Sequence, residues 1–217
     1  MKAGIINCGA ISSIHATVLK KLGIEIKALC DTNLARANSL KEKLGLNAAV
    51  FNDYRKLLDC GIDAVHVCAP HHLHGETVIE ALKRDIHTLC EKPLCISEEE
   101  ISQIRTQLGK TRAKLGICFQ NRYLDANVAV KQFLENKKIR SVMGTVLWNR
   151  DAQSYLSSGW RGKKATEGGG VLINQAIHTL DLMIWFTEMP EYISSNVSNK
   201  HLTGVIEVGD TADCYWE

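Results

Sequence analysis

The most constraining feature of this sequence is an alternation of short apolar runs with helix-like segments over roughly its first half. The runs are unbroken rather than alternately apolar and polar, as strands covered on both faces require. Strands that alternate with helices are joined by right-handed crossovers and form one parallel sheet. The sequence therefore predicts an α/β protein with a doubly wound parallel sheet. Its six predicted strands are Ala3–Ile6, Ile24–Cys30, Ala48–Phe51, Ala64–Cys68, Ile86–Cys90 and Leu115–Phe119.

The segments between these runs carry helix signals. The first predicted helix places Ile14, Val18, Leu19 and Leu22 on one face, which we expect to pack on the sheet. Ser97, followed by three glutamates, is typical of a capping box at the start of a helix that ends near Leu108.

The pattern changes after residue 120, where we place a domain boundary between domains 1–120 and 121–217. The second domain is predicted to be α/β, with an open and mostly antiparallel sheet. The last residues are typical of a strand cut before its turn, so we expect that sheet to be incomplete. The predicted elements are helices over Ala126–Asn136 and Leu172–Phe186 and strands over Val142–Asn149, Ile193–Ser198, Val205–Val208 and Ala212–Glu217.

Composition excludes several classes of protein. A net charge of +2 without a basic block gives no footprint for nucleic acid. No apolar run approaches the roughly 18 residues of a membrane span. The eight cysteines form no Cys-x-x-Cys pair, and most lie in strand-like runs. They are typical of small buried hydrophobes in a reducing compartment, so we expect a cytoplasmic protein without membrane partners.

The stretch from Thr88 to Pro93 indicates where the chemistry lies. Proline cannot extend a central strand, so the strand ends here and leaves Lys92 at its carboxyl end. Ligands of open parallel sheets bind at that edge. Taken alone, Lys92 is a solvated charge, an ion-pair partner of Glu91, or a polar catalyst beside a cofactor.

The turn after the first strand is a candidate phosphate site. A dinucleotide fingerprint has three glycines, and those positions hold Asn7, Gly9 and Ser12 here. The following helix N-terminus offers N–H groups to an anion. Asp31 lies 22 residues beyond Gly9, near the spacing of the carboxylate that binds the adenosine ribose. This favours NAD over NADP, although Arg36 is nearby; the alternative is that Asp31 is a turn or N-cap residue.

Histidines near the fourth strand raise the question of a metal site. The spacing of His66, His71, His72, His74 and His87 fits no zinc pattern, so we expect no metal. His71 and His74 follow Pro70 at a strand end, and we expect them to line a cofactor crevice.

A polar stripe marks the predicted second-domain helix. After Gly168–Gly170, where glycine allows close backbone approach, Asn174, His178 and Asp181 fall on one face of an apolar element. Buried polar groups need partners, so the stripe is either a satisfied structural network or an acid/base site centred on His178.

Taken together, these residues resemble the glucose–fructose oxidoreductase, inositol dehydrogenase and MocA family of nicotinamide-dependent sugar oxidoreductases. In that family a Rossmann domain precedes an α/β domain whose open sheet often mediates oligomerisation. The resemblance covers nearly the whole chain. It is carried by Cys8-Gly9-Ala10-Ile11 with His15, Asp31, Ala69-Pro70 with His74, Glu91-Lys92-Pro93, Phe119–Tyr123, Trp160-Arg161-Gly162 and the segment from Gly168 through His178 to Asp181.

The resemblance implies a set of site residues. Lys92 and His178 correspond to residues that serve catalysis in the family, and Asn174 stands where inositol dehydrogenases carry an aspartate. Asn-Gln-x-x-His is instead similar to the branch that oxidises nucleotide-sugar uronates. For substrate we predict Arg122, Tyr123, Trp160, Arg161, Asn174 and His178; for the cofactor, Cys8, Gly9, Ala10, Ile11, Asp31, Ala69, Pro70, His71, His74, Glu91, Lys92 and Asn121.

The predicted function is oxidation of a secondary alcohol of a sugar or nucleotide-sugar derivative, with hydride transfer to NAD and homo-oligomerisation through the second domain. His178 would take the hydroxyl proton, Lys92 would stabilise the alkoxide, and Asn174 would orient the hydroxyl. Arg122 and Arg161 would bind an anionic substrate group or form structural ion pairs. The alternatives are an NAD-binding regulatory or scaffold protein without turnover, and a fragment of such an enzyme.

Overall fold

The computed structural model describes residues 1–217, which divide into two compact units, Met1–Cys118 and Phe119–Glu217. Each unit is an α/β structure of its own. No helix in either unit combines the length and apolar character needed to cross a bilayer.

The first unit is a six-stranded parallel sheet wrapped by helices, as predicted. The strand order is β3-β2-β1-β4-β5-β6, and every pairing is parallel. The order reverses direction between β1 and β4, so the topological switch point lies where these two strands end. The elements are β1 Lys2–Ile6, α1 Ser12–Lys21, β2 Glu25–Cys30, α2 Leu34–Leu44, β3 Ala49–Phe51, α3 Tyr54–Leu58, β4 Ala64–Val67, α4 His74–Leu82, β5 His87–Cys90, α5 Glu98–Leu108 and β6 Leu115–Ile117.

Apolar clusters on both faces of this sheet hold the helices. The strands contribute side chains such as Ile5, Leu29 and Val65, which are fully buried. Ser97 caps α5, because its side chain accepts a hydrogen bond from the N–H of Glu100, as the sequence predicted.

Of the four apolar residues predicted on one face of α1, only Leu19 is buried. Ile14, Val18 and Leu22 are 61%, 47% and 68% exposed. The buried stripe instead comprises Ser12, His15, Ala16 and Leu19. This stripe combines two small side chains with Leu19 and with His15, whose ring nitrogens have polar partners at the sheet edge, so the buried face is not the most apolar one.

The second unit contains helices and one small sheet. Its antiparallel sheet pairs Ile193 with Trp216 through Ser198 with Thr211, and contains only these two strands. The elements are α6 Asp125–Leu134, α7 Ala152–Leu156, α8 Lys164–Glu167, a π-helical turn Leu172–Ala176, α9 Ile177–Thr187, β7 Ile193–Ser198 and β8 Thr211–Trp216.

Two strands predicted in this unit are absent. Val142–Asn149 has no regular structure, and Leu147 and Trp148 are 93% and 71% exposed. No neighbouring strand donates or accepts hydrogen bonds along it, so its strand-like composition has no ladder to join. Val205–Val208 forms a turn, whose Ile206 and Val208 are buried with Tyr155.

The glycine-rich entry to the π-helical turn is explained by backbone packing. Gly168 ends α8 with φ of 83°, in the left-handed region. A Cβ on Gly170 would overlap the backbone of Gly209. The Gly209 carbonyl accepts a hydrogen bond from the N–H of Val171 at 2.8 Å, so two chain segments meet here without intervening side chains.

Candidate functional site

The turn after β1 is built to present backbone N–H groups. Asn7 takes a left-handed conformation with φ of 70°, which asparagine tolerates better than most residues. Its side-chain amide donates to the Cys68 carbonyl at 3.0 Å and so joins the ends of β1 and β4. The N–H groups of residues 9–11 make no hydrogen bond to the protein, and they precede the N-terminus of α1. An anionic pyrophosphate fits this cradle.

Asp31 organises the same turn from the end of β2. Its carboxylate is buried, at 2% exposure, and accepts hydrogen bonds from the N–H groups of Cys8 and Asn33, both at 2.8 Å. Asp31 is thus a turn-stabilising residue, which the sequence left open as an alternative. Each carboxylate oxygen keeps a second lone pair for a ribose hydroxyl.

A cavity of about 370 Å³ lies beside this turn. Its lining includes Cys8 and Ser13 together with the cations Arg36 and Lys43. Arg36 therefore lines the same cavity as Cys8 of the turn.

His74 ties two strand ends together. The side chain is 1% exposed, and its Nδ1 and Nε2 lie 2.6 Å from the carbonyl oxygens of Pro93 and Ala69. Burial lowers the pKa of His74, although both carbonyls oppose that shift. The segment after β4 is thereby fixed to the segment that contains Lys92. His74 has a structural role here, and His71 is buried beside it, with ring centroids 5.9 Å apart.

A buried polar cluster joins α1 to the carboxyl ends of three strands. His15 Nδ1 lies 2.8 Å from Nδ1 of His66 on β4, and His15 Nε2 lies 2.9 Å from the Glu91 carboxylate after β5. The thiol of Cys118, after β6, also hydrogen-bonds Glu91. The Glu91 carboxylate further accepts from the backbone N–H of Lys92 at 3.3 Å.

These contacts shift the ionisation of the cluster. Burial raises the pKa of Cys118 to about 12, helped by the charge of Glu91. Burial and the neighbouring His15 lower the pKa of His66 to about 4. Burial opposes the ionisation of Glu91, but hydrogen bonds from His15 and Cys118 outweigh it and lower its pKa. Sequence reasoning missed this cluster as a unit, because its members lie far apart in the chain.

In the second unit, the π-helical turn carries Asn174. This side chain is 8% exposed, and its amide donates a hydrogen bond to the buried Glu167 carboxylate. Glu167 also accepts from the N–H of Gly162 at 2.7 Å, so it fixes Asn174 against the turn that follows Arg161. The amide oxygen of Asn174 is the atom that could accept a hydrogen bond from a ligand.

Arg122 and Asp181 form a bidentate ion pair. Arg122 Nε and Nη2 lie 2.8 and 2.6 Å from the two carboxylate oxygens of Asp181, which is 8% exposed. The Arg122 guanidinium also lies 5.6 Å from the Trp185 ring centroid. This pair matches the structural alternative for Arg122, and it accounts for Asp181 in the polar stripe.

His178 lies on α9, half-buried, with its ring edge-on to Phe119 at 6.2 Å between centroids. Asn121, in the short turn after Phe119, is held through its carbonyl, which accepts from Asn127 at 2.7 Å. The neighbouring Tyr123 is 82% exposed.

Two arginines of the second unit are held close together. The Nε of Arg161 and one terminal nitrogen of Arg150 are buried without a hydrogen-bond partner. Burial and the positive charge of Arg150 lower the pKa of Arg161. Each guanidinium lies near an aromatic ring, Arg161 at 5.1 Å from Trp160 and Arg150 at 5.6 Å from Tyr155. Two neighbouring cations with unused donors are suited to an anion. Sequence reasoning missed Arg150.

A cavity of about 1760 Å³ lies in another part of the second unit. It is lined by the apolar side of α9 and by residues 137–148, and contains none of Asn174, His178, Arg150 or Arg161.

The parallel sheet, the switch-point turn with free N–H groups and the carboxylate at the end of β2 define a dinucleotide-binding α/β protein. The comparisons with known proteins then give the family. A model described as oxidoreductase family, NAD-binding Rossmann fold, matches residues 1–119, and one for the GFO/IDH/MocA C-terminal domain matches residues 129–217. The chain belongs to the GFO/IDH/MocA family, as the sequence predicted.

Several relatives resemble the chain over most of its length. It is 30% identical over 205 residues to D-glucoside 3-dehydrogenase of Escherichia coli, covering 90% of this chain and 56% of that protein. It is 27% identical over 236 residues to glucose-6-phosphate 3-dehydrogenase of Bacillus subtilis, covering 99% of this chain and 63% of that protein. The crystal structure of the WlbA dehydrogenase from Bordetella pertussis with NADH and UDP-GlcNAcA superposes with a TM-score of 0.89 at 26% identity. The match covers 100% of this chain and 66% of that protein. The chain thus spans less than two thirds of each of these proteins.

Proposed function

We propose that the chain is an NAD-dependent oxidoreductase that transfers hydride between nicotinamide and a secondary alcohol of a sugar or nucleotide-sugar derivative. The observation that carries the proposal is the family match of both units, with an NAD-binding Rossmann fold over residues 1–119. The turn after β1 supports it, because its N–H groups fit a pyrophosphate. Relatives named for oxidation of glucosides and glucose 6-phosphate favour a sugar substrate.

The proposed chemistry assigns one role to each side chain. NAD, when bound, accepts the hydride that leaves the carbinol carbon. His178 removes the hydroxyl proton, because an imidazole titrates near neutral pH. Lys92 donates a hydrogen bond to the same oxygen and stabilises its developing negative charge. Asn174 cannot act as a base, so it orients the hydroxyl through its amide oxygen, while Glu167 holds the amide nitrogen.

Turnover with a panel of sugars tests this proposal. The panel comprises neutral glucosides, glucose 6-phosphate and a nucleotide-sugar uronate, with NADH absorbance as the readout. We expect Lys92→Ala and His178→Ala each to lower kcat at least 100-fold, the usual range for proton transfer and charge stabilisation. Lys114→Ala, an exposed lysine after α5, is the matched control and should keep full activity. Near wild-type rates in either active-site variant would remove that residue from the mechanism.

We further propose that the substrate carries a carboxylate or phosphate bound by Arg161 and Arg150. Their buried, unused donors support this, whereas the pairing of Arg122 with Asp181 argues against a role for Arg122. Arg161→Ala should raise KM for an anionic sugar at least tenfold and leave KM for a neutral glucoside unchanged, because only the former loses a charge-assisted bond. Exposed Arg140→Ala is the control. Equal effects on both substrates would contradict an anion site.

NAD binding without turnover of any sugar would favour the rival function, a regulatory or scaffold protein. Calorimetry with NAD and with NADP separates binding from turnover and tests the preference for NAD that Asp31 supports. We also propose that the protein forms homo-oligomers through the second unit. We propose a cytoplasmic location as well, which the eight free cysteines support. Light scattering after size-exclusion chromatography measures the oligomeric state directly.

A further inference from the structure

A cluster of three potential metal ligands lies at the carboxyl edge of the parallel sheet, within the first unit. The ligand atoms of His15, Glu91 and Cys118 all lie within 4.8 Å of one another. They come from α1, from the end of β5 and from the end of β6, so three separate elements direct them to one point. From this geometry we propose that His15, Glu91 and Cys118 form a Zn²⁺-binding site.

The spacing suits a small tetrahedral ion. Zinc binds imidazole nitrogen, carboxylate oxygen and thiolate sulfur at about 2.0–2.3 Å, so ligand atoms on one ion lie roughly 3.3–3.7 Å apart. His15 Nε2 and the Glu91 oxygen are now 2.9 Å apart, so a small separation of these side chains would admit the ion. Three protein ligands leave one coordination position open, as in zinc sites that also bind water or another ligand.

The charges and the identity of the ligands select the metal. A carboxylate and a thiolate together balance Zn²⁺, so the buried site would carry no net charge, which limits the cost of burying an ion. The thiol gives up its proton to solvent when the sulfur–zinc bond forms. Thiolate and imidazole favour Zn²⁺ over Mg²⁺ and Ca²⁺, which prefer oxygen ligands.

His66 provides the outer support that such sites use. Its Nδ1 lies 2.8 Å from Nδ1 of His15, the ring nitrogen that faces away from Glu91. When His15 Nε2 binds zinc, its Nδ1–H would donate to His66, which fixes the tautomer and the ring orientation. The two rings stand edge to face, with centroids 5.0 Å apart.

Cobalt replaces zinc as a spectroscopic probe in the test. Titration of the purified chain with Co²⁺ should give one equivalent bound, with an intense thiolate-to-cobalt charge-transfer band and visible bands typical of tetrahedral coordination. Addition of Zn²⁺ should displace the cobalt, and the charge-transfer band and the visible bands should then disappear. The readout needs no NAD and no substrate, so failure of the proposed oxidoreductase activity would leave it intact.

Variants then assign the ligands. Cys118→Ser should abolish the charge-transfer band, and Glu91→Gln and His15→Gln should each weaken Zn²⁺ binding at least 100-fold. His66→Asn should weaken it about 10–100-fold, the usual effect of losing an outer-shell partner. Cys214→Ser, at an exposed cysteine of the second unit, is the control and should bind like wild type. Circular dichroism checks the fold of each variant. A charge-transfer band that persists in Cys118→Ser, or no band in the wild-type chain, would overturn the proposal.

Discussion

Asp210 shows at the scale of one residue how a surface carboxylate can hold a loop. It accepts hydrogen bonds from the N–H groups of Lys200, His201 and Leu202 at 2.9, 2.7 and 2.8 Å, and from the Thr211 hydroxyl. Burial opposes its ionisation, but these donors outweigh burial and lower the pKa from 3.8 to about 2.

The stability that Asp210 contributes should therefore depend on pH. A depressed folded-state pKa gives a contribution that is complete above pH 3.8 and is lost as the pH falls towards about 2, because the unfolded chain takes up the proton first. Asp210→Asn should lower the free energy of unfolding by about 1–2 kcal/mol at pH 7, and by less at pH 3. Urea unfolding monitored by tryptophan fluorescence measures both values. An unchanged difference between the two pH values would contradict the argument.

Individual site residues differ in how far the sequence could predict them. Lys92 and Asp31 were predicted as site residues because each follows a buried strand, and strand ends are marked by proline and by turn residues. Arg150 and Cys118 were not predicted, because their proposed roles rest on contacts with neighbours distant in the chain. The sequence also could not show whether Arg122 binds a substrate anion or pairs with a carboxylate of the protein, because arginine suits both. In the structure it pairs with Asp181.

Among the elements, the π-helical turn and its glycine entry hold the second unit together. Gly170 approaches the Gly209 backbone, and the adjacent Val171 N–H bonds the Gly209 carbonyl. Gly170→Ala should destabilise the second unit by about 2–4 kcal/mol, because backbone cannot move aside for a Cβ as a side chain can. Gly159→Ala is the matched control, since a Cβ there meets nothing within 4 Å. Tryptophan-monitored urea unfolding compares the two; equal midpoints would show that the close packing is dispensable.

The bounds and faces of helices and strands were predicted well where caps and apolar spacing agree with the tertiary packing. They were predicted badly where tertiary packing alone determines the structure. The start and end of α5 match the prediction, because the Ser97 cap marks its first turn and the helix ends at Leu108. The face of α1 was largely misread because its buried stripe includes Ser12, His15 and Ala16, which the periodicity of large apolar residues does not report. Val142–Asn149 has strand-like composition but no pairing partner, and only the fold can reveal that.

On the scale of the whole molecule, the two units differ in the size of their buried apolar clusters. The first has extensive buried clusters on both faces of its sheet, whereas the buried cluster of the second comprises Tyr155, Ile206 and Val208. Apolar burial is the dominant favourable term in folding. The second unit should therefore unfold at lower denaturant than the first.

The tryptophans provide a direct test. All four lie in the second unit, at Trp148, Trp160, Trp185 and Trp216, so their fluorescence reports that unit alone. We expect the fluorescence transition in urea to precede the main far-ultraviolet circular dichroism transition, which includes the helices of the first unit. Transitions that coincide would show that the two units unfold together.

The fold of the first unit was predictable as a whole because unbroken apolar runs, turns and helices all indicate one topology. In the second unit the antiparallel sheet and its strand Ile193–Ser198 were predicted, whereas the glycine contacts between distant segments and the absence of two predicted strands were not.

His74, the first residue of α4, contacts the carbonyl oxygens of Pro93 and Ala69, so α4 helps to position the segment that contains Lys92. On the proposed role of Lys92, a substitution on the inward side of α4 should displace the lysine and slow the proposed reaction, although no group in contact with a reactant changes. On the same proposal, substitutions in α4 would adjust the position of Lys92 from outside the candidate site, at positions that mutagenesis confined to the site lining does not reach.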